Sequence, residues 1–320
     1  MSSTLRFWPN VADGSSVVRI ILLYLRGCRQ VCPPPAMALR RIELSCGGRA
    51  RGTAADRVRT AGWGSGTRSR RHGQSRWTHR PRPPGHPVPL SRGGGMAHSW
   101  RCMRPKITKL PRTVPSPEGK PVRPEAPDNQ RFMETVALDG SSWTPELARL
   151  TGEIFDSFAA TWTEERGDYR PAPLIDALER GDPPAEGRCL ELGSGTGILT
   201  PSLRSRWPEV VCLDLSMQML GRQRHGRQVQ GDASSLPLAD ASFDVVVVGD
   251  GPLFAAEIVR VLRDVGTVIW SNALGSGAPY HLKTSVICDA LASASPTANW
   301  TGVESEALWG SWVVLHRRPA

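Results

Sequence analysis

Between positions 145 and 317 the chain alternates two hydrophobic patterns. Leu147, Leu150, Ile154, Phe155 and Phe158 recur at helical spacing and predict an amphipathic helix over 146–158. Leu174, Ile175 and Leu178 predict a second over 171–180. Short apolar runs at 188–192, 209–214, 227–231, 243–248 and 266–270 then read as strands. Between and after them, 198–207, 216–224, 254–263 and 279–294 read as helices, with Ser216 as an N-cap. Four consecutive valines, Val245 to Val248, mark a strand covered on both faces, as in a parallel sheet. Residues 301–308 and 311–317 predict two strands joined by a tight turn at Trp309 and Gly310. Strand and helix in alternation predict an α/β fold with a doubly wound, mostly parallel sheet and an antiparallel edge.

The first 132 residues carry neither period. They are rich in Arg, Gly, Pro and Ser, and only 17–25 and 36–44 offer short apolar pieces. Such a segment buries too little apolar surface to offset its ordering entropy. It is expected to be disordered, which divides the chain into a basic extension, 1–132, and a folded domain, 133–320. Charge divides at the same point. The net charge of +10 is the balance of +19 in 1–132 and −9 in 133–320. A basic arm in which Trp63, Trp77 and Trp100 stand among arginines suits nucleic acid or an acidic membrane surface. An Arg-rich, acid-poor stretch also suits a targeting segment, but no apolar h-region with a small-residue cleavage site follows. The remaining reading is an upstream extension of the frame, since Met37, Met96, Met103 and Met133 offer later starts.

No run of eighteen apolar residues exists to span a bilayer. Cys28, Cys32, Cys46 and Cys102 lack zinc-ligand spacing, and no metal site is expected. Cys189, Cys212 and Cys288 fall in apolar runs and read as reduced core thiols of a cytoplasmic protein.

The candidate chemistry begins where the first predicted strand ends, in Leu190-Glu191-Leu192-Gly193-Ser194-Gly195-Thr196-Gly197. Glycines at 193, 195 and 197 admit backbone conformations closed to other residues and let a ligand approach closely. In an open sheet such a loop borders the ligand crevice. The next strand ends in Asp214, whose carboxylate can accept from ribose hydroxyls; Asp232 ends the third and can reach an adenine amino group. Ile198 and Leu199 follow the last glycine where a phosphate loop needs Lys and Ser or Thr. The spacing also departs from the Gly-x-Gly-x-x-Gly of dinucleotide folds, although Asp214 could equally serve NAD.

These residues resemble the class I S-adenosylmethionine-dependent methyltransferases, and within them the small-molecule, ubiquinone-biosynthesis-like group. The likeness runs through Leu190 to Gly197, Asp214-Leu215-Ser216 with Met219-Leu220, and Gly231-Asp232-Ala233 followed by Leu236 to Val246. It continues in Glu257 to Arg263. The resemblance implies a seven-stranded Rossmann-like sheet and S-adenosylmethionine as donor. It implies that Glu191, Gly193, Ser194, Gly195 and Gly197 line the donor's methionine and ribose, Asp214 with Leu215 the ribose hydroxyls, and Asp232 with Ala233 the adenine. Asp264-Val265-Gly266 departs from the family's usual Pro-Gly-Gly.

The expected activity is methyl transfer to a small molecule by in-line displacement. Asp250 and His281 are candidate bases, and Tyr169 and Tyr280 orienting hydroxyls. Phe158, Trp162 and Tyr169 are expected to cap the donor, where aromatic faces can meet a sulfonium. The competing readings are a nucleic-acid methyltransferase gripping through the basic arm, an NAD(P)-dependent oxidoreductase, and a donor-binding protein without catalysis.

Overall fold

The computed structural model describes residues 105–119, 127–166 and 169–320. Among them eight strands form one sheet: β1 (Lys106–Lys109), β2 (Arg188–Leu192), β3 (Glu209–Asp214), β4 (Arg227–Gln230), β5 (Phe243–Gly249), β6 (Leu262–Asn272), β7 (Ala298–Ala307) and β8 (Gly310–Pro319). Their order is β1-β7-β8-β6-β5-β2-β3-β4. All neighbours are parallel except β8, which runs antiparallel to both β6 and β7. The helices are α1 (Pro127–Leu138), α2 (Pro145–Phe158), α3 (Trp162–Arg166), α4 (Pro171–Arg180), α5 (Thr200–Arg204), α6 (Met217–Leu220), α7 (Ala255–Val261) and α8 (Thr284–Ala294). None of these is long and apolar enough to cross a membrane.

The valine run shows how the sheet is buried. Val246 and Val248 join Leu190, Leu192, Leu213 and Trp270 in a core with Met133 of α1, Ile258 of α7 and Ile287 and Leu291 of α8. Val245 and Val247 point the other way, to Leu174 and Leu178 of α4, Leu203 of α5, Trp207 and Trp312. With strand side chains alternating between faces, a continuous apolar run is what a strand covered on both sides requires. Each fully buried valine contributes on the order of 2 kcal/mol of apolar transfer free energy.

Local chemistry sets the element boundaries near the cleft. Thr144 starts α2 by accepting from the Leu147 N–H at 3.2 Å, with Pro145 in the first turn. Ser216 caps α6, its hydroxyl accepting from Met219 N at 3.1 Å. That helix closes at Gly221, so it is shorter than the expected 216–224. α8 begins at Thr284 rather than 279, because the chain through Ala278 and Pro279 forms a wall of the cleft. β6 starts at Leu262, directly after α7, instead of at Gly266.

Two expectations change at the amino-terminal side. The sheet has eight strands, not seven, and the ordered fold reaches back before Met133. β1 pairs with the outer edge of β7, Lys106 opposite Thr301. Leu110 N donates to Glu304 O at 2.8 Å, and Arg112 forms an ion pair with Glu306. Ile107 and Leu110 pack against the two cores. The edge of β7 offers unpaired backbone groups, and four residues with one alternating apolar side chain suffice to cover it. Helix α1 likewise starts at Pro127. The expected disorder of 1–104 and 120–126, and Trp63, Trp77 and Trp100 with it, lies outside the described residues.

Candidate functional site

Strand order reverses around β2, which has β3 on one side and β5 on the other. Beyond the carboxyl ends of these three strands lies a cleft open to solvent. A topological switch point is where an open α/β sheet binds its ligand.

The glycine loop forms one wall. Gly193, Gly195 and Gly197 have φ of +68°, +55° and +84°, left-handed values that side chains disfavour. A Cβ on Gly193 would meet nothing within 4 Å, and one on Gly195 only Trp162 Nε1 at 3.9 Å. Both therefore open onto free space. Gly197 does not line the cleft, since its Cβ would stand 2.7 Å from Gln223 Cγ. It closes the turn, with its N–H donating to Ser194 O at 2.9 Å. Gly193 N and Ser194 N donate to Leu213 O, tying the loop to β3.

Asp214 braces the same loop. Its Oδ2 accepts from Gly195 N at 2.7 Å and its Oδ1 from Ser216 N at 2.8 Å. Burial raises its pKa, and those two hydrogen bonds oppose the rise. Glu191 lies behind the loop, almost wholly buried. Thr200 Oγ1 donates to it at 2.6 Å and Cys212 Sγ at 3.6 Å. Burial pushes its pKa up to about 7. Thr200 in turn accepts from Gln223 Nε2 at 2.8 Å, and Gln223 Oε1 accepts from Ser194 Oγ at 3.4 Å. One polar network thus runs from Glu191 to the loop.

Asp232, Ala233 and Leu215 line the same cleft. Asp232 Oδ1 accepts from Ser234 N at 2.8 Å, and its Oδ2 accepts from Trp143 Nε1 at 3.1 Å. The Trp143 ring meets Phe254 edge-on, with centroids 5.3 Å apart. The third side is formed by Asp250, Arg170, Trp162, Leu274, Ala278 and Tyr280. Asp250 is a non-glycine residue at φ +52°, held by its N–H on Ser271 O at 2.9 Å. Its Oδ1 accepts from Ala273 N at 3.1 Å and its Oδ2 from Arg170 Nη1 at 2.8 Å.

The structure thus gathers Glu191, Gly193, Ser194, Gly195, Asp214, Leu215, Asp232, Ala233, Asp250 and Tyr280 around one cavity. It does not bring in His281 or Tyr169. His281 sits beside the β7–β8 hairpin, its ring 6.1 Å from that of Trp270, and desolvation lowers its pKa. Tyr169 turns away to pack edge-on against Trp309 at 5.8 Å, because the turn before α4 sends Arg170 inward instead. Of the expected aromatic cap, Trp162 lines the cleft and Phe158 packs behind it at 6.4 Å. The Trp162 ring is already covered by cations, with the guanidinium carbons of Arg166 and Arg170 at 4.4 and 5.0 Å from its centroid. Sequence reasoning misses Trp143, Phe155, Arg170 and Phe254 as cleft residues. An indole just ahead of a Thr-Pro helix start is the only local sign of Trp143. Among the described residues no group of three or more His, Cys, Asp or Glu could hold a metal ion.

Residues 190–270 match the family model described as a methyltransferase domain. The chain is 33% identical over 171 residues to the biotin biosynthesis bifunctional protein BioHC of Cellvibrio japonicus, covering 48% of this chain and 32% of that protein. It is 33% identical over 126 residues to the demethylmenaquinone methyltransferase of Corynebacterium kroppenstedtii, covering 39% of this chain and 55% of the other. A solved S-adenosylmethionine-dependent methyltransferase of Thermotoga maritima superposes at a TM-score of 0.41 and 18% identity, over 52% of this chain and 99% of that one. The matched stretches span between about a third and about half of the two curated relatives' own length. The family match places a methyltransferase domain at residues 190–270, and the ordered motifs there, similar to those of the class I S-adenosylmethionine-dependent methyltransferases, build the cleft.

Proposed function

We propose that this domain transfers a methyl group from S-adenosylmethionine to a small-molecule acceptor. The reading rests on one convergence: open-faced glycines at 193 and 195, Asp214 and Asp232 share one rim of one cavity. The residues suit an adenosyl group. A backbone cradle without Cβ atoms admits close approach at Gly193 and Gly195. The carboxylates of Asp214 and Asp232 stand at intervals along the cleft as hydrogen-bond acceptors. Phe254 and Trp143 offer an apolar, edge-on aromatic corner beside Asp232.

When bound, the donor supplies a methyl group already activated on a sulfonium. The protein's own contribution is then alignment and exclusion of water. Leu274, Ala278, Trp162 and Phe155 give the acceptor side an apolar wall. Asp250 is tied to Ala273 N–H through one oxygen and to Arg170 through the other, which fixes its carboxylate at the cleft and leaves each oxygen a further lone pair to orient a group or take up a proton. Tyr280 presents the remaining hydroxyl-bearing ring of that wall. The name of the demethylmenaquinone relative supports an acceptor of small-molecule size. Cys189, Cys212 and Cys288 are buried free thiols, which supports work in a reducing compartment such as the cytoplasm.

Calorimetric titration of the full chain with S-adenosylhomocysteine and, separately, NAD tests the donor. Binding of S-adenosylhomocysteine is expected; binding of NAD alone would overturn the assignment. Transfer of label from methyl-labelled donor into a small-metabolite extract, and not into added RNA or DNA, is expected for the acceptor class.

A further inference from the structure

A second hollow lies between helices α1 and α2, beside the cleft. Asn129, Phe132 and Met133 share one stripe of α1, at spacings of three and four, and Leu147, Thr151, Ile154 and Phe155 form the facing stripe of α2. Trp143, from the turn between the two helices, and Tyr280, from the chain before α8, close it. Trp143, Thr151, Phe155 and Tyr280 also line the cleft, so one partition serves both spaces. Helix α1 is fixed in place there: Gln130 Nε2 donates to Ser276 O at 2.8 Å and to Ala278 O at 2.9 Å.

Among the described residues no charged side chain lines this hollow. Its one amide belongs to Asn129, a residue only 4% exposed. That amide makes no hydrogen bond to a described residue, yet its atoms are not sealed from solvent. The neighbouring Trp143 N–H cannot serve it, being engaged by Asp232. A polar group buried among apolar ones gives up its water partners, and a ligand that restores them gains by it. The rings of Phe132, Trp143, Phe155 and Tyr280 suit a flat ring. A wall without counter-charge suits a neutral one, because an unpaired buried charge is costly. A hydroxyl, like the amide, both donates and accepts.

Resting on the methyltransferase reading, we infer that this hollow seats the methyl acceptor as a neutral aromatic molecule whose hydroxyl bonds to Asn129. The ring lies between α1 and α2, and the rest of the molecule reaches the cleft across the shared partition. Asn129 thereby sets specificity away from the donor: a site built to bond a hydroxyl rejects the analogue that lacks it, since its own polar group is left unpaired.

The probes are p-cresol, toluene and benzoate, which share a ring and differ in the polar group and in charge. Each is titrated calorimetrically into the full chain saturated with S-adenosylhomocysteine. p-Cresol is expected to bind at least about tenfold more tightly than toluene or benzoate. N129L is expected to reverse the order of p-cresol and toluene, whereas a merely structural role for Asn129 would weaken both together. I154W, which fills the hollow, is expected to abolish binding of all three probes. Both variants should keep their affinity for S-adenosylhomocysteine, because neither residue lines the cleft. Equal binding of p-cresol and toluene to the unaltered chain, or no binding of p-cresol, overturns the inference. So does a p-cresol preference that survives N129L, and this holds even if I154W fails to fold. Failure of the unaltered chain to bind S-adenosylhomocysteine would instead strike the donor reading; donor binding without the p-cresol preference strikes only this one.

Discussion

The indole Nε1 of Trp143 donates to Asp232 Oδ2 at 3.1 Å, joining the residue ahead of helix α2 to the end of a loop 89 positions later. The bond turns the carboxylate so that its other oxygen accepts from Ser234 N. W143F removes the donor and keeps the ring against Phe254. A net hydrogen bond to a charged group contributes about 1.5–3 kcal/mol, so S-adenosylhomocysteine affinity should fall about tenfold with little change in melting temperature. D232A should cost more. Calorimetry on both variants checks the order.

Glycines near the cleft separate binding from folding. G193A places its Cβ in free space at φ +68°, so it should fold with a strain cost of about 1–2 kcal/mol and lose donor affinity by more than tenfold. G226A lies outside the cleft, and its Cβ would meet Cys212 Sγ at 2.4 Å. It should lower stability sharply. Urea unfolding and product titration, run on both, give opposite patterns.

Stability should depend on pH through Glu191. Its folded pKa, about 7, exceeds the ordinary value of 4.5 because it is fully buried. The folded state therefore binds the proton more tightly than the unfolded state. Stability is gained as pH falls from about 7 toward about 4.5, and is lost as pH rises through that window. The difference is about 3 kcal/mol across the window. E191Q keeps an acceptor for Thr200 and should remove this slope. Subtracting its pH–stability curve from that of the unaltered chain isolates the effect.

Asp176 holds a second polar cluster on the other face of the sheet. Trp312 Nε1 donates to its Oδ2 at 2.6 Å, Arg180 Nε lies 3.1 Å from its Oδ1, and Thr113 Oγ1 donates to Oδ1 at 3.2 Å. D176A leaves a buried indole N–H unpaired and takes the carboxylate from a half-buried guanidinium, and should cost about 3 kcal/mol. Donor affinity of the folded fraction should not change, because none of these residues lines the cleft.

A chain starting at Pro105 should be more stable than one starting at Met133, which lacks β1 and the first turns of α1. The shorter chain also exposes the edge of β7. Denaturant midpoints of the two fragments test this, and equal midpoints would show that the added strand contributes nothing.

The alternating architecture and the placing of Gly193, Gly195, Asp214 and Asp232 around one cleft were legible in the linear chain. Valines in series, glycines at 193, 195 and 197, and aspartates at strand ends are signals carried within a few residues. The backbone period then delivers strand ends to one rim without further information. Packing set the rest. Lys106–Lys109 is too short to announce a strand and exists because β7 has an open edge. Trp143 and Arg170 reach the cleft, and Tyr169 and His281 leave it, through the directions of turns between elements. Adjacent residues in a turn face different neighbours, and only the docking of α2 to α4 on the sheet selects which one meets the cavity. Asp214 and Glu191 were legible as residues of the site; that one braces the loop and the other lies buried behind it depended on which backbone and hydroxyl groups folding brought within hydrogen-bond reach.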